Sequence, residues 1–125
     1  MKNLSDYTSE ARENKIRDTG VFFAFNNSQF KEKAKKGVRY KNLGLGTFCP
    51  DENVEAFKEG MDLILREGIA KDLKENGKQT IISRELQNHE AYYTYDTTDT
   101  FNALSGYGIT AEEVFEVFQQ ELQHH

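Results

Sequence analysis

A chain of 125 residues with a net charge of −5 and one cysteine, Cys49, has the length of one domain and can bury a core without a metal or a disulfide. The lone cysteine excludes an internal disulfide, which fits a reducing compartment, and no apolar run approaches the ~20 residues of a membrane-crossing helix. Nine Phe and six Tyr supply large apolar rings in place of the absent Trp, so the composition excludes a disordered chain despite its 30% charged residues.

The N-terminal Met-Lys-Asn-Leu-Ser-Asp-Tyr lacks the apolar segment of a secretory signal, so a cytoplasmic location is expected. Residues 5–18 read as a polar helix capped by Ser5 or Asp6 and ended by Gly20. Its apolar content is thin, so the first 19 residues are expected to dock loosely. Val21-Phe22-Phe23-Ala24-Phe25 reads as a strand whose continuous apolarity predicts burial on both faces. Asn27 or Ser28 then caps a short helix, 29–36, closed by Gly37. Val38–Lys41 alternates like a half-exposed strand. Asn42-Leu43-Gly44 is a turn signal, and Gly46–Cys49 is the returning arm, ended by Pro50.

A long helix is predicted over 51–76, with Asp51 as N-cap and Gly77 as C-cap. Val54, Phe57, Met61, Ile64, Leu65, Ile69 and Leu73 form its inner stripe, and Gly68 is the place for a break. Residues 80–93 read as one helix with Ile82, Leu86, His89 and Tyr93 on a single stripe. A loop from Thr94 leads into a short helix, 99–105, that buries Phe101 and Leu104. The last helix opens on a capping box of Thr110 and Glu113, with Ile109 and Val114 as hydrophobic staple and Val114, Phe115, Phe118 and Leu122 as inner face. The terminal His124-His125 pair reads as the remnant of a purification tag and is kept out of site reasoning.

Charge is unevenly placed. No Lys or Arg follows Arg84, so residues 85–125 hold eight acids and no base, while the other 84 residues hold 13 acids and 16 bases. The acidic stretch also carries four of the six tyrosines and the one internal histidine, His89. Asn88, His89, Glu90, Thr94 and Asp96 form the candidate binding group. A zinc-peptidase motif would need a second histidine four residues after His89, where Tyr93 stands. The structural reading is favoured: His89 at the edge of the core, hydrogen-bonded to a backbone carbonyl or to a loop side chain such as Thr94 or Asp96. Cys49 has only the start of a helix to activate it and reads as a buried side chain. Gly44-Leu45-Gly46 lacks the Gly-Lys-Ser/Thr ending of a phosphate loop, and no cofactor or metal is expected. Lys31, Lys33, Lys35, Lys36, Arg39 and Lys41, with Phe30 and Tyr40 among them, form a basic patch. It reads first as a solvated face and second as a phosphate-contacting surface.

Val21-Phe-Phe-Ala-Phe-Asn-Asn-Ser-Gln-Phe30, Leu43-Gly-x-Gly-x-Phe-Cys-Pro50, Asn88-His-Glu90 with Thr94-x-Asp96, and the Leu104–Thr110 turn into Glu112-Glu113 together resemble an uncharacterised group of small phage and mobile-element proteins. The resemblance implies that setting and no catalytic residues.

One α+β domain over residues 1–125 is therefore expected, with a small antiparallel sheet of two or three strands packed against four or five helices and 51–76 as the spine. The favoured function is non-enzymatic: a phage or mobile-element accessory protein whose acidic C-terminal face engages a host or phage protein, with a nucleic-acid mimic or anti-defence inhibitor as the special case. The alternatives are a nucleic-acid-binding module using residues 31–41 and a small hydrolase or ligand-binding protein centred on His89.

Overall fold

The computed structural model describes residues 2–123; the His124-His125 pair, read as a tag remnant, lies outside them. Among the described residues there are seven α-helices and one three-stranded antiparallel sheet in the order β1-β3-β2, an α+β fold as expected. The chain divides into two compact units, one ending at Leu65 and the other beginning at Arg66.

The first unit opens with α1, Leu4–Thr19. Its cap is Asn3, whose N–H donates to the Asp6 carboxylate at 2.8 Å, two or three residues earlier than the sequence suggested. Gly20, at φ +78, ends it as expected. Thr8 and Thr19 are buried on α1, and Asn53 Nδ2 donates to the Thr19 carbonyl at 2.8 Å, so the helix is tied to its unit.

Strand β1 is only Phe22–Phe23. Burial on both faces of 21–25 is not found: Val21 and Ala24 are buried, but Phe23 and Phe25 are exposed. Strand β1 lies at the sheet edge and pairs with β3 alone, and Phe25 lies beyond its end. Helix α2 runs Asn27–Lys33 and is capped by Asn26, whose side chain accepts from Gln29 N at 2.8 Å. It ends at Ala34, before Gly37.

Strand β2 covers Tyr40–Gly44 and β3 covers Thr47–Pro50. The turn falls on Leu45-Gly46, both with positive φ, as a two-residue hairpin requires. The expected turn at Asn42–Gly44 is instead a bulge in β2, where the register shifts. Phe22, Tyr40 and Phe48 share one face of the sheet and Phe30 of α2 covers them, with ring centroids 4.9–5.9 Å apart. A second small core holds Cys49, Val21 and Val54, with Ile16, Leu43 and Phe57 packed against it.

A 3₁₀ turn at Asp51–Asn53 leads into α3, Val54–Asn76, which passes Gly60 and Gly68 without a break. A Cβ at Gly60 would meet the flexible end of the Lys15 side chain, which would have to move aside. Leu65, placed on the inner stripe from spacing, is exposed.

In the second unit α3 ends at Gly77, whose φ of +77 turns the chain directly into α4, Lys78–Asn88. The predicted single helix 80–93 is divided. His89 caps α4, Glu90 takes a left-handed conformation, and α5, Ala91–Thr94, follows. The stripe therefore ends at Leu86: Ile82 and Leu86 are buried, and Tyr93 is exposed. Helix α6 is Thr98–Ala103 and a 3₁₀ turn covers Ser105–Tyr107. Leu104 is buried as expected, whereas Phe101 is exposed. Helix α7, Ala111–Leu122, has the predicted capping box: Glu113 N donates to Thr110 Oγ1 at 3.1 Å and Thr110 N to Glu113 Oε1 at 3.1 Å. Its inner face is Val114, Val117 and Phe118, and Phe115 points to solvent. Helix α4 is the centre of this unit, packed against α5, α6 and α7.

Candidate functional site

Among the described residues of the second unit, Asp72 and Arg84 are the two buried charged side chains. They sit on inner faces, Asp72 three residues after Ile69 on α3 and Arg84 three after Ile81 on α4. Arg84 Nη1 meets Asp72 Oδ1 at 2.9 Å and Nη2 meets Oδ2 at 2.9 Å, the two-pronged geometry in which a guanidinium best matches a carboxylate. Asn76 Nδ2 donates to Oδ1 at 2.8 Å and the Tyr107 hydroxyl to Oδ2 at 2.5 Å. Burial alone would push the Asp72 carboxyl up, but the bonds from Arg84, Tyr107 and Asn76 outweigh it and hold the group below its ordinary value.

The chain of bonds continues outward. Glu85 Oε1 accepts from Arg84 Nε at 3.1 Å, and Glu85 Oε2 lies 3.4 Å from His89 Nε2 and 3.5 Å from Asn88 Nδ2. A continuous polar path thus runs from the buried Tyr107 and Asp72 through Arg84 and Glu85 to His89, whose side chain is 33% exposed. His89 is partly covered, and the group beside its ring is the Glu85 carboxylate, one turn back, rather than the backbone carbonyl or the Thr94 or Asp96 side chain expected from the sequence. The path is framed by the Thr100 hydroxyl, which donates to the Glu85 carbonyl at 3.4 Å and ties α6 to α4.

Of the candidate group from the sequence, Glu90, Thr94 and Asp96 are joined in one loop, while Asn88 and His89 lie beside Glu85. Thr94 Oγ1 donates to the Glu90 carbonyl at 3.4 Å and accepts from Asp96 N at 3.2 Å. Asp96 Oδ1 accepts from Thr98 N at 2.9 Å, and bonds from Thr98 hold the Asp96 carboxyl below its ordinary value. Asn88, Glu90, Thr94 and Asp96 are all exposed. Among the described residues no three His, Cys, Asp or Glu side chains converge as a metal-binding group.

What spacing did not reveal is the face this loop builds. Glu90 at φ 55 and Tyr95 at φ 58, two non-glycine residues in the left-handed region, bracket the four-residue α5. Such conformations cost on the order of 1 kcal/mol or more each and persist where surrounding structure enforces them. Their effect is to set three tyrosines on a cleft of about 500 Å³, lined by Gln87, Glu90, Tyr92, Tyr93, Tyr95 and Leu122. The Tyr92 ring stacks on Phe118 at 5.8 Å and its hydroxyl is held by the Glu121 carboxylate. Burial first, and then that carboxylate, pushes the Tyr92 hydroxyl well above its ordinary range. Tyr95 meets Phe118 edge-on at 6.4 Å. Tyr93 is 85% exposed and Tyr95 71%. The signal available in the sequence was Tyr92-Tyr93-x-Tyr95 itself, whose rings cannot all face one core from one short turn.

In the first unit, Lys31, Lys33, Lys35, Lys36, Arg39 and Lys41 are exposed. Lys33 has a structural role, its Nζ donating to the Phe23 carbonyl at 2.6 Å, and Lys35 N donates to the Tyr40 hydroxyl at 3.0 Å. Cys49 is fully buried, and burial followed by the nearby Asp51 pushes its thiol up, against a role as nucleophile.

The model of a family of unknown function (DUF7659) matches residues 4–125, and the chain belongs to that family. No curated protein and no solved structure matches it.

Proposed function

We propose that this member of the family is a non-enzymatic binding protein that docks a basic protein segment on the tyrosine face of α5, in the setting of a phage or other mobile element. The observation that carries the reading is the pair of left-handed residues, Glu90 and Tyr95, holding Tyr93 and Tyr95 out in solvent over a cleft that Glu90 lines. Exposed large rings at a fixed site favour association, and tyrosine is enriched in protein interfaces. Charge gives the sign of the partner. Glu90 lines the cleft, Glu121 lies against Tyr92, and no Lys or Arg follows Arg84. An arginine or lysine of the partner would find ring faces and carboxylates together, which favours cation–π contact. The mobile-element setting rests on the motif resemblance.

The test is fluorescence anisotropy with a labelled Arg- and Lys-rich peptide and a Glu-rich counterpart, at about 50 mM and about 300 mM salt, against wild type and a Tyr93→Ala/Tyr95→Ala variant. The expected result is binding of the basic peptide only, weakened by salt and by about tenfold in the variant. Equal binding of both peptides, or unchanged binding by the variant, contradicts the reading.

A further inference from the structure

The first unit holds a second cleft of different chemistry, about 510 Å³ in volume, between the end of β1, the beginning of α2 and the hairpin. Three rings, Phe25, Phe30 and Phe48, and three carboxamides, Asn26, Asn27 and Asn42, line it. Phe25 is 77% exposed, yet its ring is seated: a Cβ on Gly46 would stand 2.6 Å from Phe25 Cε1, so the ring lies over a glycine whose φ of +75 disfavours a side chain as well. Behind it, Phe30 and Phe48 meet edge-on at 4.9 Å and belong to the sheet's aromatic cluster. The cleft therefore offers a fixed, solvent-facing ring plane.

Two of its carboxamides present donors. Asn26 Oδ1 accepts from Gln29 N and Asn42 Oδ1 from Gly44 N, each at 2.8 Å, which leaves the amide NH₂ ends of both for a ligand. Asn27 is exposed and adds a third carboxamide. No acid lines the cleft. Lys31 follows Asn27 by four residues, one turn along α2 and on the same side of the helix.

A ligand that matches needs a flat π face, carbonyl acceptors on its edge and negative charge a few ångströms away. A pyrimidine-bearing nucleotide within a strand has all three. We propose that this cleft receives a base of a single-stranded nucleic acid, stacked on Phe25, with its carbonyl edge on the asparagine amides and a neighbouring phosphate on Lys31. A duplex keeps its base faces stacked and its pairing edges occupied, so the site selects single strands. Lys33 stays outside this role, because its ammonium is bonded to the Phe23 carbonyl. The inference is independent of the tyrosine face and does not rest on it.

The experiment is anisotropy of fluorescent oligothymidine and oligouridine strands, and of a duplex of the same length, against wild type, Phe25→Ala, Asn27→Asp, Lys31→Ala and the control Leu45→Ala. Leu45 is 95% exposed at the hairpin tip and does not line the cleft. The expected result is single-strand binding at low salt, at least tenfold weaker for the duplex, reduced about tenfold by Phe25→Ala and by Asn27→Asp, and unchanged in the control. Lys31→Ala lowers the salt slope by about 0.7, one phosphate contact. If Phe25→Ala melts out, Asn27→Asp carries the comparison. No single-strand binding by wild type, equal duplex binding, or binding indifferent to both cleft substitutions overturns the proposal.

Discussion

Arg84 closes on Asp72 through two parallel contacts of 2.9 Å, with Asp72 fully buried and the Arg84 side chain 5% exposed. Neither charge is tolerable alone in that interior, and each is acceptable because Asn76, Tyr107 and Glu85 complete the remaining hydrogen bonds. Since Asp72 lies on α3, Arg84 on α4 and Tyr107 in the turn before α7, this single pair fixes the register of three segments in the second unit.

Removing one partner should therefore be far worse than removing both. Arg84→Met leaves a buried carboxylate without its counter-ion, and a loss of about 3–5 kcal/mol is expected in urea unfolding. Asp72→Leu combined with Arg84→Met should cost less than the two single changes added together. A double variant at the full sum would mean that the pair is not coupled.

The same pair sets the acid limit. Asp72 is held below its unfolded value, so its contribution is complete above the ordinary carboxylate pKa of about 3.9 and is lost as pH falls through the folded value. At the alkaline end, burial and the bond to Asp72 raise the Tyr107 hydroxyl, so that contribution is present below about pH 10 and is lost as pH rises further. Melting temperatures across pH should fall at both ends. Asp72→Asn, weaker throughout, should show a shallower acid slope; an unchanged slope would place the acid sensitivity elsewhere.

Glu90 is a strained position. Glu90→Gly removes the left-handed penalty and should raise stability, or leave it level after the added unfolded-state freedom, within about 1 kcal/mol. Glu90→Val should lose about 1–2 kcal/mol in the same thermal melts, because a β-branched side chain is least tolerant of positive φ. Equal melts for the two variants would show that the turn does not depend on this conformation.

His89→Ala should be mild. Its side chain is one-third exposed and meets Glu85 at 3.4 Å, so a loss of no more than about 1 kcal/mol is expected, well below that of Arg84→Met. A loss as large as that of Arg84→Met would make the outer end of the polar path as important as its buried core.

Much of this architecture is legible in the residues. The Thr110–Glu113 box and Gly20 and Gly77 at helix ends follow from local chemistry that acts within one turn, whereas the continuity of α3 through Gly60 and Gly68 does not. Two further features are not local. The division of 80–93 carries no Gly or Pro, because tertiary packing around Ala91 and Tyr92 forces Glu90 into a conformation its own preference disfavours. The Asp72–Arg84 pair lies twelve residues apart across a turn, and its only sequence trace is a charge at an inward helical position. Of the candidate binding group, His89 and Asn88 join the polar path through Glu85, while Glu90, Thr94 and Asp96 build the loop that presents the tyrosines.

The central claim is that the tyrosine face docks a basic segment. Its most direct measurement is an amide chemical-shift map of isotope-labelled protein titrated with an Arg- and Lys-rich peptide. Perturbations centred on residues 87–95 and 115–122, and abolished in Tyr93→Ala/Tyr95→Ala, are the predicted result. A spectrum unmoved by the peptide, or shifts elsewhere that survive the double substitution, would contradict it.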